Sequence, residues 1–180
     1  MAKPKIATDW LGGCAGCHMS LLDIDERIVA LLELVELTSS PVTDLKHPPE
    51  EGVAVGVLEG AINNTVNLRV ARQMRQRCKT LVALGDCAVF GGVPAMRNAF
   101  TTKEALERAY ITSESTVDGK VPQDPELGRL TKRCCSVGEM VPVDVNLPGC
   151  PPSADAIFNT LSALLEGRAA NPTGDDLKYD

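Results

Sequence analysis

Short apolar runs alternate with amphipathic stretches along most of the chain. Residues 6–10 form the first strand candidate, followed at once by Leu-Gly-Gly and a cysteine segment. Leu21, Leu22, Ile24, Ile28, Leu31, Leu32 and Val35 then recur at the i, i+3, i+4, i+7 spacing of a buried helix face. Residues 41–49, bounded by prolines, read as a loop. Val53-Ala-Val-Gly-Val-Leu58 is a continuous apolar run, expected as a buried strand ending in Glu59-Gly60. Val66, Val70, Met74 and Cys78 recur every fourth residue on the helix after it. Residues 80–84 are a third buried strand, running into Gly85-Asp86-Cys87-Ala88, and residues 103–110 a short helix. The mostly polar residues 111–140 are expected to be an excursion with one short helix. Residues 143–147 resume the core as a fourth strand and lead into Pro148-Gly-Cys150-Pro-Pro152. A last helix over residues 153–166 places Ala154, Ile157, Phe158, Leu161, Leu164 and Leu165 on one face. Ser153 is its expected N-cap, and a short polar tail, 168–180, follows.

Short apolar strands alternating with amphipathic helices predict an α/β fold. Its core would be an open, doubly wound parallel sheet with helices on both faces and a flavodoxin-like order. Residues 1–180 are expected to make one domain, long enough to bury a core without covalent staples. In such sheets ligands bind outside the carboxyl ends of the strands. The cysteines follow that rule. Cys14 and Cys17 come after the first strand, Cys87 after the third and Cys150 after the fourth, each within a few residues of the strand's end.

Composition narrows the chemistry. Aromatic residues make up only 3%, so the core must be built from Val, Leu, Ile and Ala, and a base-stacking surface is hard to assemble. A net charge of −6 argues against nucleic acid or an anionic membrane as partner. The N-terminus lacks an apolar signal segment, and no stretch approaches the ~20 apolar residues of a membrane span. The expectation is therefore a cytoplasmic protein. There, seven cysteines point to metal ligation or redox work rather than to a disulfide framework.

Cys14-Ala-Gly-Cys17-His18 has two readings: a c-type haem attachment site, or half of an iron–sulfur ligand set. The haem alternative leaves Cys87 and Cys150 unexplained. Four thiolates gathered on one sheet edge match a [4Fe–4S] cluster, although thiolates alone also suit structural zinc. Pro151 and Pro152 would hold Cys150 in an extended turn. Glu59, on the same edge, is either a solvated loop carboxylate or a group that orients ligands or moves protons. Cys78 reads as a small buried apolar residue, and the adjacent Cys134 and Cys135 as structural. His18 is expected to be a bystander or to sit just behind the ligands.

These residues resemble the small subunit of [NiFe] hydrogenases. The likeness rests on Asp9-Trp10-Leu11 before Cys14-Ala-Gly-Cys17, on Val57-Leu-Glu59-Gly60-Ala-Ile62 and on Gly85-Asp-Cys87-Ala-Val-Phe-Gly-Gly92. It is completed by Val141-Pro-Val-Asp144 leading to Pro148-Gly-Cys150-Pro-Pro152. The related complex I quinone-reductase subunit shares Pro-Gly-Cys-Pro-Pro but has two adjacent cysteines at the first site. Here Ala15-Gly16 separates them, which favours the hydrogenase branch.

Without a leader or a C-terminal cluster extension, the chain is similar to the short form found in cytoplasmic NAD-reducing, bidirectional hydrogenases; the deazaflavin-reducing enzymes are an alternative. The resemblance implies an oxidoreductase subunit for H₂ + NAD⁺ = H⁺ + NADH with no catalytic residue of its own. Cys14, Cys17, Cys87 and Cys150 would hold the proximal [4Fe–4S] cluster. A large subunit would carry the Ni–Fe site, and diaphorase subunits would carry FMN, the NAD site and further Fe–S clusters. Flavin on this chain is not expected, because no phosphate-cradling loop is evident. Trp10 and Leu11 are expected as interface anchors towards the large subunit, and residues 111–140 as a candidate contact with the diaphorase.

Overall fold

The computed structural model describes residues 3–170 and 172–177. Strand β1 (Lys5–Trp10) is followed by helices α1 (Gly16–Leu22) and α2 (Arg27–Leu34) and by strand β2 (Glu36–Ser39). Strand β3 (Val53–Glu59) leads through the short strand β4 (Ile62–Asn64) into helix α3 (Thr65–Arg77) and strand β5 (Cys78–Leu84). Helix α4 (Gly85–Phe90) begins with no intervening residue. A 3₁₀ segment (Val93–Ala99), helix α5 (Thr102–Tyr110), strands β6 (Leu130–Cys135) and β7 (Val145–Leu147) and helix α6 (Ala154–Leu165) complete the order, before a 3₁₀ turn at Gly174–Leu177.

The main sheet has the order β2-β1-β3-β5-β7 with every neighbouring pair parallel, the flavodoxin-like arrangement expected. Pleating sends alternate residues of one strand to opposite faces. Thus Val82 and Leu84 join a core layer with Leu31 of α2 and Ile157 and Leu161 of α6. Leu81 and Ala83 join a second layer with Ala71 and Met74 of α3 and Ala88 of α4. Both faces are thus covered, which is why β3 and β5 read as continuous apolar runs rather than alternating ones. Two caps are set by side chains. Asn64 accepts from the N–H groups of Val66 and Asn67, and Ser153, as expected, accepts from that of Ala156.

Several local expectations need correction. The apolar spacing over residues 21–35 spans two helices rather than one, because Asp25 takes a left-handed conformation (φ 60°) between them. Cys78 is the first residue of β5, not the last of the helical stripe: helix and strand abut, so the apolar period passes from one to the other unbroken. The excursion contains no helix between residues 111 and 140. Instead β6 pairs antiparallel with β4, a small ribbon beside the main sheet. The fourth strand is only three residues long. Part of the expected polar tail, residues 171 and 178–180, lies outside the described residues. Among those described, no helix is long and apolar enough to cross a membrane.

Candidate metal centre

All four predicted ligands lie at the carboxyl edge of the sheet. Cys14 stands in the loop after β1, which is held open by a backbone bridge between Gly12 and Ala61. Cys17 lies in the first turn of α1, Cys87 in α4 directly after β5, and Cys150 in the turn after β7. Cys14 and Cys150 are exposed, whereas Cys17 and Cys87 are half-buried.

The loops that carry them are tied to one another. The Asp86 N–H donates to the Gly149 carbonyl and the Gly149 N–H donates back to Asp86 Oδ1, both at 2.8 Å, locking the Cys87 segment to the Cys150 turn. The Ser20 hydroxyl donates to the Pro152 carbonyl at 2.6 Å, linking α1 to the same turn. The Cys150–Pro151 peptide is cis. Glycine is required where backbone and sulfur crowd. A β-carbon on Gly85 (φ +84°) would run into the Cys17 Sγ, and one on Gly92 (φ +50°) would lie 2.9 Å from the Cys87 Sγ.

The electrostatics describe one shared site. Burial, then the Glu59 carboxylate, then the sulfurs of Cys87, Cys14 and Cys150 push the Cys17 thiol up to about 12. Burial also raises Cys87, with Cys150 and Cys14 adding to it and the Val93 N–H pulling the other way. As thiolates, sulfurs so arranged would need a strongly positive group between them. Among the described residues, no three Cys, His, Asp or Glu side chains close in as they would around a single metal ion. The thiols lie within mutual electrostatic reach, and an all-thiolate donor set suits an iron–sulfur cluster as it does zinc.

Behind the thiols, Glu59 is 2% exposed and His18 fully buried, so neither is a solvated loop group. Glu59 Oε2 accepts from the His18 backbone N–H and contacts the ring Nδ1, both at 2.6 Å. The ring Nε2 meets Thr8 Oγ1 at 3.0 Å, and Thr8 is bonded in turn to Ser40 at 2.9 Å. Trp10 packs edge-on against the ring with centroids 5.7 Å apart.

The sequence puts Glu59 on this edge and leaves His18 either a bystander or a residue behind the ligands; it gives no role to Asp86, Ser20 or Thr8. Asp86, flanked by Gly85 and Cys87, was the one with a local signal. The remaining cysteines are held by other contacts. Cys78 is buried against Gly56, and the backbone of Cys134 is held on both sides by Asn98. Cys135 pairs with Ile62 in the small ribbon. Of the two expected anchors, Trp10 is 41% exposed, but Leu11 is a core residue at 9%.

Residues 14–164 match the family described as NADH ubiquinone oxidoreductase, 20 Kd subunit. The delta subunit of the NAD-reducing hydrogenase HoxS from Cupriavidus necator is 42% identical over 99% of this chain and 86% of its own length. A component of the F420-non-reducing hydrogenase from Methanothermobacter thermautotrophicus is 39% identical over 92% of this chain, which spans 54% of that protein. Among solved structures, an NAD⁺-reducing [NiFe]-hydrogenase in the H₂-reduced state superposes with a TM-score of 0.93 at 41% identity, covering 99% of both chains. The [NiFeSe]-hydrogenase of Dm. baculatum shares the fold, at 20% identity and a TM-score of 0.61. The chain therefore belongs to the NADH ubiquinone oxidoreductase 20 Kd subunit family, and within it to the small subunits of NAD-reducing [NiFe] hydrogenases.

Proposed function

We propose that this subunit carries electrons within a cytoplasmic NAD-reducing [NiFe] hydrogenase by holding one proximal [4Fe–4S] cluster on Cys14, Cys17, Cys87 and Cys150. The observation that carries this reading is the gathering of four thiols from three separate strand ends onto one glycine-lined edge. When bound, the cluster would supply reversible one-electron storage between the two-electron H₂ centre of a large subunit and the flavin of a diaphorase. The chain's own groups supply the rest. The Asp86–Gly149 pair keeps two ligands in fixed relation, and Gly85 and Gly92 bring backbone against sulfur. Cys17 and Cys87, both half-buried, form the inner side of the set.

An apolar row beside Cys87 supports a large-subunit partner. Phe90 at the end of α4, Val93 and Met96 in the 3₁₀ segment and Phe100 just after it are each 62–70% exposed, an unusual cost in water for four large apolar side chains. Iron and acid-labile sulfide analysis of the anaerobically purified complex, with EPR after reduction, tests the assignment. Four irons per chain and a reducible signal are expected. Cys87→Ala and Cys150→Ala should each lose the cluster. Zinc in place of iron, or a signal surviving both substitutions, would overturn it. Co-purification of subunits that bind NAD and FMN tests the acceptor.

A further inference from the structure

Helix α1 begins without a cap of its own. Its N-cap is Ala15, held in a left-handed conformation (φ 64°) and unable to accept a hydrogen bond through its side chain. The backbone N–H groups of a helix's first turn have no partner within the helix. The His18 N–H, in that turn, finds its partner across the fold in Glu59 Oε2. The same oxygen contacts the His18 ring at Nδ1, and Thr8 and Ser40 extend the chain from Nε2. With both ring nitrogens engaged and Trp10 set edge-on, the imidazole has no freedom to turn.

A buried carboxylate is a poor way to gain stability, because taking it out of water costs about as much as its hydrogen bonds return. Its place in the fold indicates another use. Glu59 is the last residue of β3, and its backbone carbonyl also accepts from the Leu11 N–H at 2.8 Å, just past β1 on the segment leading to Cys14. His18 is bonded through the chain to Cys17. Side chain and backbone of one residue therefore fix both halves of the C-x-x-C segment. Among the charged groups acting on the Cys17 sulfur, Glu59 is the strongest.

We infer that Glu59 and His18 are positioning residues for the Cys17 corner of the cluster, and that the Glu59 carboxylate holds the cluster's midpoint potential low by placing a fixed negative charge beside it. This rests on the cluster assignment above. A negative charge near the site favours the oxidised, less negative form of the cluster, and burial keeps water from screening it. Thr8 and Ser40 serve to hold the ring, and with it the carboxylate, in place.

The test uses the assembled complex purified anaerobically, with midpoints taken from redox titration of the reduced-cluster EPR signal. Glu59→Gln keeps an oxygen to accept from the His18 N–H but removes the charge, and its midpoint should move to a more positive potential. Glu59→Asp, which retains the charge, should stay closer to wild type. Cluster loss from Glu59→Gln alone, or from both variants with native circular dichroism, supports the positioning role. Full iron content in Glu59→Gln with an unchanged midpoint overturns the inference. So does unfolding of both variants, which would make the pair part of the scaffold. A wild-type protein without iron and sulfide instead overturns the cluster assignment, so the two failures are told apart.

Discussion

Cys78 shows at the scale of one residue why a cysteine count overstates a metal site. Its thiol is pushed up to about 11 by burial, against the opposing charges of Arg75 and Arg77, and it packs on the backbone of Gly56 in the neighbouring strand. A thiol whose pKa is higher folded than unfolded favours the native state while both forms are protonated. That contribution is lost as pH rises from about 9 through about 11. Cys78→Ala should therefore retain all its iron, and should lose less thermal stability than wild type between those pH values when melted in parallel by circular dichroism. The apolar period through Val66, Val70, Met74 and Cys78 was enough to place this residue in the core. His18 was harder to read. A lone histidine beside a ligand carries no local sign of its partner, and Glu59 stands 41 residues away in the sequence.

At the scale of elements, Asp144 fastens the start of the last strand to the rest of the sheet. Its Oδ2 accepts from the Leu81 N–H at 2.7 Å and pairs with Arg75 of α3 at 2.5 Å, while its own N–H donates to the Leu81 carbonyl. Burial pushes its carboxyl up, but the Arg75 hydrogen bond, the Leu81 N–H and the Arg75 charge together bring it below the usual 3.8. A depressed carboxyl stabilises the fold above its unfolded pKa and ceases to do so as pH falls through the folded value. Asp144→Asn should cost about 1 kcal/mol near neutral pH, the scale of one part-exposed charge-assisted hydrogen bond. The gap to wild type should narrow as pH falls below 3.8, as urea titrations at about pH 7 and pH 3 would show. The main strands were legible because β3 and β5 are apolar on both faces. β2, β4 and β6 were not, being short or half-polar, with partners set only by the tertiary fold. Helix α4 was hidden by the glycine at its start, which reads locally as a turn.

For the molecule as a whole, the exposed apolar residues Phe90, Val93, Met96 and Phe100 follow Cys87 directly along the chain, so in the proposed reading the ligand edge and the large-subunit contact would share one side. Met96→Glu should leave iron content unchanged but weaken retention of the large subunit about thirtyfold, equivalent to about 2 kcal/mol for an interface anchor. Equal pull-down of wild type and variant would rule that surface out. The sheet order has one more consequence, for the way the protein is made. Strand β5 pairs on its outer side only with β7, which comes more than sixty residues later, and the Cys150 turn follows β7 directly. While the chain is being synthesised, three of the four thiols are present long before the fourth, and the outer edge of β5 is an unpaired row of backbone donors and acceptors. A cluster delivered at that stage would find a three-sided site on a sheet still open to aggregation. Ligation by the complete proposed set would therefore wait until β7 has docked, a late step in folding.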